Sequence, residues 1–300
     1  MESIDSIRIH FNPEQLGILN FCLAFIMFGV ALDLKVDNFR ELLKTPKAPL
    51  VGLSSQIILL PLLTLGLVYL IQPPMSIALG MLLVSACPGG NVSNFAVHLS
   101  KGNTALSVML TSISTLAAII TTPLIFALLA PLAIGDEAMR EDIYVNPFDM
   151  LWAIVQLTLL PLLLGMFMHY RLPRIAARIR RPIRILSMII FLGFIVVAVY
   201  GNLENIRQYL HLVFFIVLIH NATGLLGGYS LAKTFGLSRA DARAISLETG
   251  IQNSGLGLIL IFNFFDGLGG MALIAAWWGI WHLISAFSLA SWWGRKGGDV

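Results

Sequence analysis

The sequence predicts an all-α polytopic membrane protein. Of its 300 residues, 57% are hydrophobic and only 12% are charged, which is too apolar for a soluble domain around one core. In addition, polar stretches containing glycine interrupt two of the long apolar segments near their middles. Unpaired backbone groups are tolerated at membrane depth only where they line a protein cavity, so such interruptions are typical of membrane transporters.

Nine apolar segments are long enough to cross a bilayer as helices. They cover about residues 15–34, 48–71, 75–100, 103–131, 149–170, 183–201, 209–234, 239–265 and 269–293, here called segments A to I. The sequence therefore predicts a single integral membrane domain over residues 1–300. The first 13 residues are polar and mixed in charge, which does not fit a signal or transit peptide.

The distribution of Lys and Arg predicts the orientation of these segments. With the N-terminus outside, sixteen of the 19 basic residues fall on the inner side: Lys35, Arg40, Lys44, Lys47, Lys101, Arg171, Arg174, Arg178, Arg180, Arg181, Arg184, Lys233, Arg239, Arg243, Arg295 and Lys296. Only Arg8, Arg140 and Arg207 fall outside. We expect a multi-pass protein of the cell membrane, such as a bacterial inner membrane, with its C-terminus inside. The net charge of +3 reflects this topology and does not indicate nucleic-acid binding.

The two interrupted segments suggest an internal repeat. Segment C contains Cys-Pro-Gly-Gly-Asn-Val-Ser-Asn over residues 87–94, and segment H contains Glu-Thr-Gly-Ile-Gln-Asn-Ser-Gly over residues 248–255. Each is followed by one helix, so A to D correspond to F to I, and E is left unpaired. Corresponding segments are five spans apart and cross the membrane in opposite directions. This pattern predicts an inverted repeat whose broken helices cross near the bilayer midplane.

Glu248 is an acidic residue deep within segment H, and residues 244–265 around it contain no other charged side chain. A charge at this depth costs at least roughly 2.5–3.5 kcal/mol, so it needs a partner. Lys and Arg are absent at similar depth, which leaves a proton or a bound cation. Gln252 lies one turn further along, and Ser107 and Thr111 share a face of segment D. These oxygen ligands suit Na⁺, whereas a protonated Glu248 hydrogen-bonded to its neighbours is the structural alternative.

These polar stretches resemble the bile acid:sodium symporter family over nearly the whole chain. The motifs are Cys87-Pro88-Gly89-Gly90 with Ser93-Asn94, Gly102-Asn103 with Ala105-Leu106-Ser107, Thr111 to Thr115, Glu248 to Leu256, and Trp281-His282. The resemblance implies a panel domain of segments A, E and F. It also implies a core domain of segments B, C, D, G, H and I, which holds the two broken helices.

The same resemblance implies two sodium sites and no other cofactor. The first would be formed by Ser93, Asn94, Ser107, Thr111 and Glu248. The second would be formed by Gln56, Glu248 and Gln252, together with the backbone carbonyls of Thr249 and Ile251. Thr249 and Ile251 depart from the more common Val and Met of the family, but only their backbone is involved.

The substrate is expected to be a small organic anion. The second halves of segments C and H begin near Asn91 and Asn253, so free N–H groups and positive dipole ends would point into the cavity. A carboxylate, a sulfonate or a bile-acid-like anion would be favoured there. His282 could contact substrate or could equally be a structural histidine of the helix bundle. Asn91 replaces the Thr of some bacterial members of the family, which leaves the identity of the substrate open.

Together these features predict sodium-coupled symport of an organic anion by alternating access. The expected partners are the substrate, Na⁺ and membrane lipid, with no obligatory protein partner. A proton-coupled or uncoupled carrier of the same fold is the nearest alternative. A membrane sensor or an intramembrane enzyme using Glu248 is the other, but the sequence contains no HExxH motif, Ser–His pair or carboxylate dyad.

Overall fold

The fold consists of helices. The computed structural model describes residues 4–8, 13–32, 44–90, 92–134, 145–200 and 203–296, and within these ranges β-structure is limited to two isolated bridges. The helices are α1 (Pro13–Ala31), α2 (Lys47–Ile71), α3 (Met75–Ala86), α4 (Val92–Leu99), α5 (Thr104–Ala133), α6 (Pro147–Arg171), α7 (Pro173–Tyr200), α8 (Leu203–Thr234), α9 (Arg239–Gly250), α10 (Ser254–Phe264) and α11 (Gly269–Lys296).

Five stretches among the described residues are long and apolar enough to cross a membrane. They lie in α2, α5, α6, α8 and α11, so the predicted all-α membrane class is confirmed. The predicted count of nine spans and the inverted repeat stay predictions. Segments C and H are each divided into two helices, α3 with α4 and α9 with α10, and each of these helices is shorter than the ~20 residues that a span requires.

Two helices begin earlier than the sequence predicts. Segment F was expected from residue 183, but α7 begins at Pro173, and segment G was expected from residue 209, but α8 begins at Leu203. The first turns of α7 contain Arg174, Arg178 and Arg180. These turns are helical, but they are too highly charged to be recognised as part of an apolar segment. The last two residues of segment A (33–34) lie outside the described residues, as do Lys35, Arg40, Asn91 and Arg140.

Two prolines shape the middle of α2 and of α6. Each follows a widened π-helical turn, Ser55–Leu59 before Pro61 and Val155–Leu159 before Pro161. Proline has no N–H and its ring clashes with the carbonyl four residues earlier, so a regular α-helical turn is disfavoured at these positions. Such turns are frequent at functional sites.

The helices pack in two groups, which meet mainly where α6 contacts α5 and where α1 contacts α10. Helices α1, α6 and α7 contact one another, whereas α3 packs against α5 and α11, and α9 packs against α8. Helix α1 also contacts α10. There, Asn20 Nδ2 donates to Asn263 Oδ1 (3.3 Å) and Asn263 Nδ2 donates to Asn20 Oδ1 (3.0 Å). The predicted panel and core domains stay a prediction.

Candidate cation and substrate site

The site forms where the two broken helices lie against each other. The Gly90 N–H donates to the Ile251 carbonyl (3.0 Å), and the Asn253 N–H donates to the Pro88 carbonyl (2.8 Å). An antiparallel bridge joins Gly89 to Gln252 between these two bonds. Peptide groups that are freed by one break therefore form hydrogen bonds with peptide groups of the other break, as buried backbone groups require.

Gly89 is required by the close approach of two side chains. A Cβ atom at this position would lie 2.8 Å from Gln56 Nε2 and 2.9 Å from Glu248 Oε2. Both contacts are under 3 Å, so a residue with a Cβ atom at this position would force the Gln56 amide and the Glu248 carboxylate to move. The Pro-Gly-Gly sequence thus ends α3 and also makes room for Glu248.

Glu248 is fully buried near the end of α9 and is surrounded by neutral hydrogen-bonding groups. Ser107 Oγ lies 2.5 Å from Glu248 Oε1, and Thr111 Oγ1 lies 3.0 Å from both carboxylate oxygens. Ser93 Oγ is also within hydrogen-bonding distance of Oε1. Asn94 Oδ1 accepts a hydrogen bond from Ser107 Oγ (2.8 Å). The side chains predicted for the first sodium site therefore lie together, on α4, α5 and α9.

The residues predicted for the second sodium site also lie together. Gln56 Nε2 donates to the backbone carbonyl of Glu248 (3.0 Å) and to its Oε2 (3.2 Å). Gln252 Nε2 donates to the Thr249 carbonyl (2.9 Å). The Oε1 atoms of both glutamines are buried and accept no hydrogen bond. Two such oxygens are costly unless a ligand satisfies them.

The donor set fits a hard monovalent cation better than a transition metal. Within the part of the chain that the structure describes, no group of three or more His, Cys, Asp or Glu side chains could hold a metal ion. Around Glu248 the available atoms are carboxylate, hydroxyl, amide and backbone oxygens. Oxygen ligands with a single negative charge suit Na⁺.

The residues predicted to bind substrate are less closely associated. Asn253 is half-buried and caps α10, since its Oδ1 accepts a hydrogen bond from the Leu256 N–H (3.1 Å). His282 is buried on α11 and its Nδ1 has no hydrogen-bond partner. Within the described residues, none of the hydrogen bonds of the Glu248 side chain involves His282. Asn91 lies outside the described residues.

Several polar residues near the breaks were missed by sequence reasoning. Thr122 Oγ1 donates to the Ala86 carbonyl (2.7 Å) at the end of α3. Asn221 Nδ2 donates to the Gly250 carbonyl (2.7 Å) at the end of α9. Ser55 Oγ lies 2.7 Å from Thr249 Oγ1. These residues could have been found as polar side chains in the middle of apolar spans, where a polar group is energetically costly unless it has a structural or functional partner.

Comparison with known proteins identifies the family of the chain. Residues 20–209 match the model of the sodium bile acid symporter family. The chain belongs to this family. Because the family and the named relatives are transporters, this member of the sodium bile acid symporter family is a multi-pass membrane transporter and not an enzyme.

The relatives include bacterial and plant proteins. An uncharacterized sodium-dependent transporter, YocS of Bacillus subtilis, is 36% identical over 274 residues, which is 91% of this chain and 82% of that protein. The probable sodium/metabolite cotransporter BASS1 of Arabidopsis thaliana is 32% identical over 277 residues, 91% of this chain and 66% of that protein. The probable sodium/metabolite cotransporter BASS2 of Oryza sativa is 31% identical over 272 residues, which is 85% of this chain and 62% of that protein. The sodium dependence in these names supports Na⁺ as a coupling ion.

Proposed function

We propose that this protein is a sodium-coupled symporter of a small organic anion that works by alternating access. The observation that carries the proposal is the environment of Glu248, a buried carboxylate whose hydrogen-bonding partners are all neutral. A charged side chain at membrane depth costs at least roughly 2.5–3.5 kcal/mol. A bound cation would offset this cost. The sodium dependence named for the family and for its relatives favours Na⁺ as that cation.

The first sodium ion would bind among side-chain oxygens of α4, α5 and α9. Its ligands would be Ser93, Asn94, Ser107, Thr111 and Glu248. Each hydroxyl group can donate only one hydrogen bond, but Ser107 Oγ lies near both Asn94 and Glu248, and Thr111 Oγ1 lies near both carboxylate oxygens. The site therefore contains more acceptor oxygens than hydroxyl hydrogens. A cation would be coordinated by these crowded oxygens directly.

The second sodium ion would bind on the other side of the same carboxylate. The Oε1 atoms of Gln56 and Gln252, which have no donor, would point to it together with Glu248. The carbonyls of Thr249 and Ile251 each accept one hydrogen bond, which leaves a second lone pair on each oxygen for the ion. Unwound backbone carbonyls are used in this way in other secondary transporters.

The anion would bind at the start of the second half-helices. Helices α4 and α10 begin at Val92 and Ser254, next to the crossing, and their N-terminal N–H groups favour negative charge. Asn91 and Asn253 would shape this region, and His282 would contribute if it reaches the same cavity. A carboxylate, a sulfonate or a bile-acid-like anion is the substrate class.

Transport would proceed by movement of a core domain against a panel domain. The panel would be α1, α6 and α7, which contact one another, and the core would be the remaining helices. The protein would lie in the cell membrane, surrounded by lipid, with its N-terminus outside. This orientation puts most Lys and Arg residues inside.

The test is thermal unfolding of purified protein in NaCl and in KCl, with and without a panel of organic anions. We expect Na⁺ to raise the unfolding temperature in wild type, by mass action, and to have no such effect in Glu248→Gln. Equal stabilisation by Na⁺ and K⁺ would contradict the proposal. Uptake driven by a proton gradient in Na⁺-free liposomes would favour a proton-coupled carrier instead.

A further inference from the structure

The break between α9 and α10 frees a series of backbone carbonyls, and each finds a different donor. The Glu248 carbonyl accepts from Gln56 (3.0 Å) and the Thr249 carbonyl accepts from Gln252 (2.9 Å). The Ile251 carbonyl accepts from the Gly90 N–H (3.0 Å). These three donors belong to the proposed sodium site or to the crossing.

The carbonyl of Gly250, in contrast, is held by a residue outside the site. Asn221 Nδ2 on α8 donates to it at 2.7 Å. The orientation of this amide is set by α11, because Ser285 Oγ donates to Asn221 Oδ1 at 2.6 Å. Asn221 is only 1% exposed, so no solvent molecule can replace the bond freely. A short hydrogen-bonded chain therefore runs from α11 through α8 to the end of α9.

The direction of the Gly250 carbonyl controls that of its neighbour. Ile251 has an extended backbone (φ −112°, ψ 105°), so the carbonyls before and after it point to opposite sides. With the Gly250 carbonyl turned toward α8, the Ile251 carbonyl turns toward Gly90 and the crossing. Release of Gly250 would let both peptide planes rotate together.

Close packing makes the α8 side of this arrangement rigid. A Cβ atom on Gly250 would lie 2.4 Å from Leu225 Cδ2, and one on Gly228 would lie 2.8 Å from Thr249 Oγ1. Helices α8 and α9 thus approach with little space between them. The position of Asn221 relative to the end of α9 is fixed by this contact.

We propose that Asn221 is a positioning residue for the second sodium site, acting through the Gly250 carbonyl to aim the neighbouring backbone ligand, the Ile251 carbonyl. The inference rests on the proposed function, since it presupposes that this carbonyl binds Na⁺. Asn221 does not itself touch the ion. Ser285 supports it by fixing the orientation of its amide.

The test measures the Na⁺ dependence of the unfolding temperature in Asn221→Ala, Ser285→Ala and wild type, at constant ionic strength maintained with KCl. In Asn221→Ala we expect the half-saturating Na⁺ concentration to rise about tenfold, the effect of one buried hydrogen bond, with a less steep Na⁺ dependence. Ser285→Ala should give a smaller shift in the same direction, because it leaves the Nδ2 donor in place. Thr223→Ala on the same helix removes an exposed hydroxyl bonded only to its own helix and should match wild type.

The outcomes separate this inference from the function on which it rests. A wild-type protein that does not respond to Na⁺ overturns the proposed function itself. A wild-type protein that responds, with an unchanged half-saturating concentration in Asn221→Ala, overturns the positioning role alone. A purely structural role would lower the unfolding temperature in KCl without altering the Na⁺ half-saturation. If Asn221→Ala does not fold, Ser285→Ala supplies the same comparison, and an unaltered Na⁺ dependence there counts against the inference.

Discussion

The side-chain amide of Gln56 donates to both the backbone carbonyl and the carboxylate of Glu248, at 3.0 and 3.2 Å. The two residues are 192 positions apart and lie on α2 and α9. This single amide therefore links the π-helical turn of one helix to the end of another. Because the Oε1 atom of Gln56 stays without a donor, the same side chain can hold Glu248 and still offer an oxygen to an ion.

Replacement of Gln56 should weaken the second sodium site more than the first. In Gln56→Ala we expect the Hill coefficient of Na⁺-dependent transport to fall toward about one, since this coefficient cannot exceed the number of sites. Initial uptake rates at varied Na⁺ measure it. Gln156→Ala is the matched control, because Gln156 occupies the corresponding position of the other π-helical turn and is exposed. Equal loss of steepness in both variants would contradict the assignment.

Addition of one methyl group at Gly89 should abolish Na⁺ binding. The new Cβ atom would lie within 3 Å of both Gln56 Nε2 and Glu248 Oε2, so the carboxylate must move. Gly89→Ala should lose the Na⁺-induced rise in unfolding temperature. Gly66→Ala on α2, where a Cβ atom meets nothing within 4 Å, should keep it. A normal Na⁺ response in Gly89→Ala would show that the crossing is not the ion site.

Substrate and ion effects should separate at Asn253. We expect Asn253→Ala to reduce anion affinity while largely preserving stabilisation by Na⁺, because its side chain lies at the N-terminus of α10 and not at Glu248. The same result is expected for Asn91→Ala. Binding of the anion, measured by calorimetry in NaCl, is the readout. If both variants bind anion normally, the cavity lies elsewhere and His282 becomes the better candidate.

The paired amides of Asn20 and Asn263 should favour one conformation of the carrier. They join α1 to α10 by two hydrogen bonds, and these helices belong to the two domains proposed to move. Asn20→Ala and Asn263→Ala should each alter the transport rate, and the double variant should change it no further than either single one. Strictly additive effects in this cycle would show that the pair does not act as a unit.

Transport of a monovalent anion should move charge. If Glu248 stays ionised, two Na⁺ and one monoanion neutralise the loaded site, whereas the empty carrier returns with the carboxylate alone. Each cycle then carries one net positive charge inward, worth roughly 2.3 kcal/mol per 100 mV. Uptake into proteoliposomes under an inside-negative K⁺/valinomycin potential should be faster than at zero potential. A rate indifferent to voltage would count against coupling to two sodium ions.

The sequence predicted the polar centre of the fold better than its supporting structure. Glu248, Ser107 and Thr111 stand out because polar residues are costly within apolar spans. Gln56 could not be selected by this argument, since Ser-Gln-Ile-Ile-Leu-Leu-Pro and Val-Gln-Leu-Thr-Leu-Leu-Pro are nearly equivalent locally. Only the family resemblance chose Gln56 over Gln156, and the structure then shows that Gln56 contacts Glu248.

Other features depend on tertiary contacts that local patterns do not carry. The early start of α7 at Pro173 was missed because hydropathy detects apolar length and not helical conformation. The role of Asn221 depends on a carbonyl 29 positions away, on another helix. A polar residue in a span indicates that a partner exists, but only the packed structure identifies that partner.

The two broken segments are joined at their crossing by peptide groups, through the hydrogen bonds Gly90–Ile251 and Pro88–Asn253. Point mutations change side chains, and only a proline removes a peptide N–H. Homologous proteins can therefore differ in the residues around this crossing, and so in the substrate they bind, while the hydrogen bonds of the crossing itself are retained. Members of one family can then differ in substrate and still share the same backbone hydrogen bonds between the two broken segments.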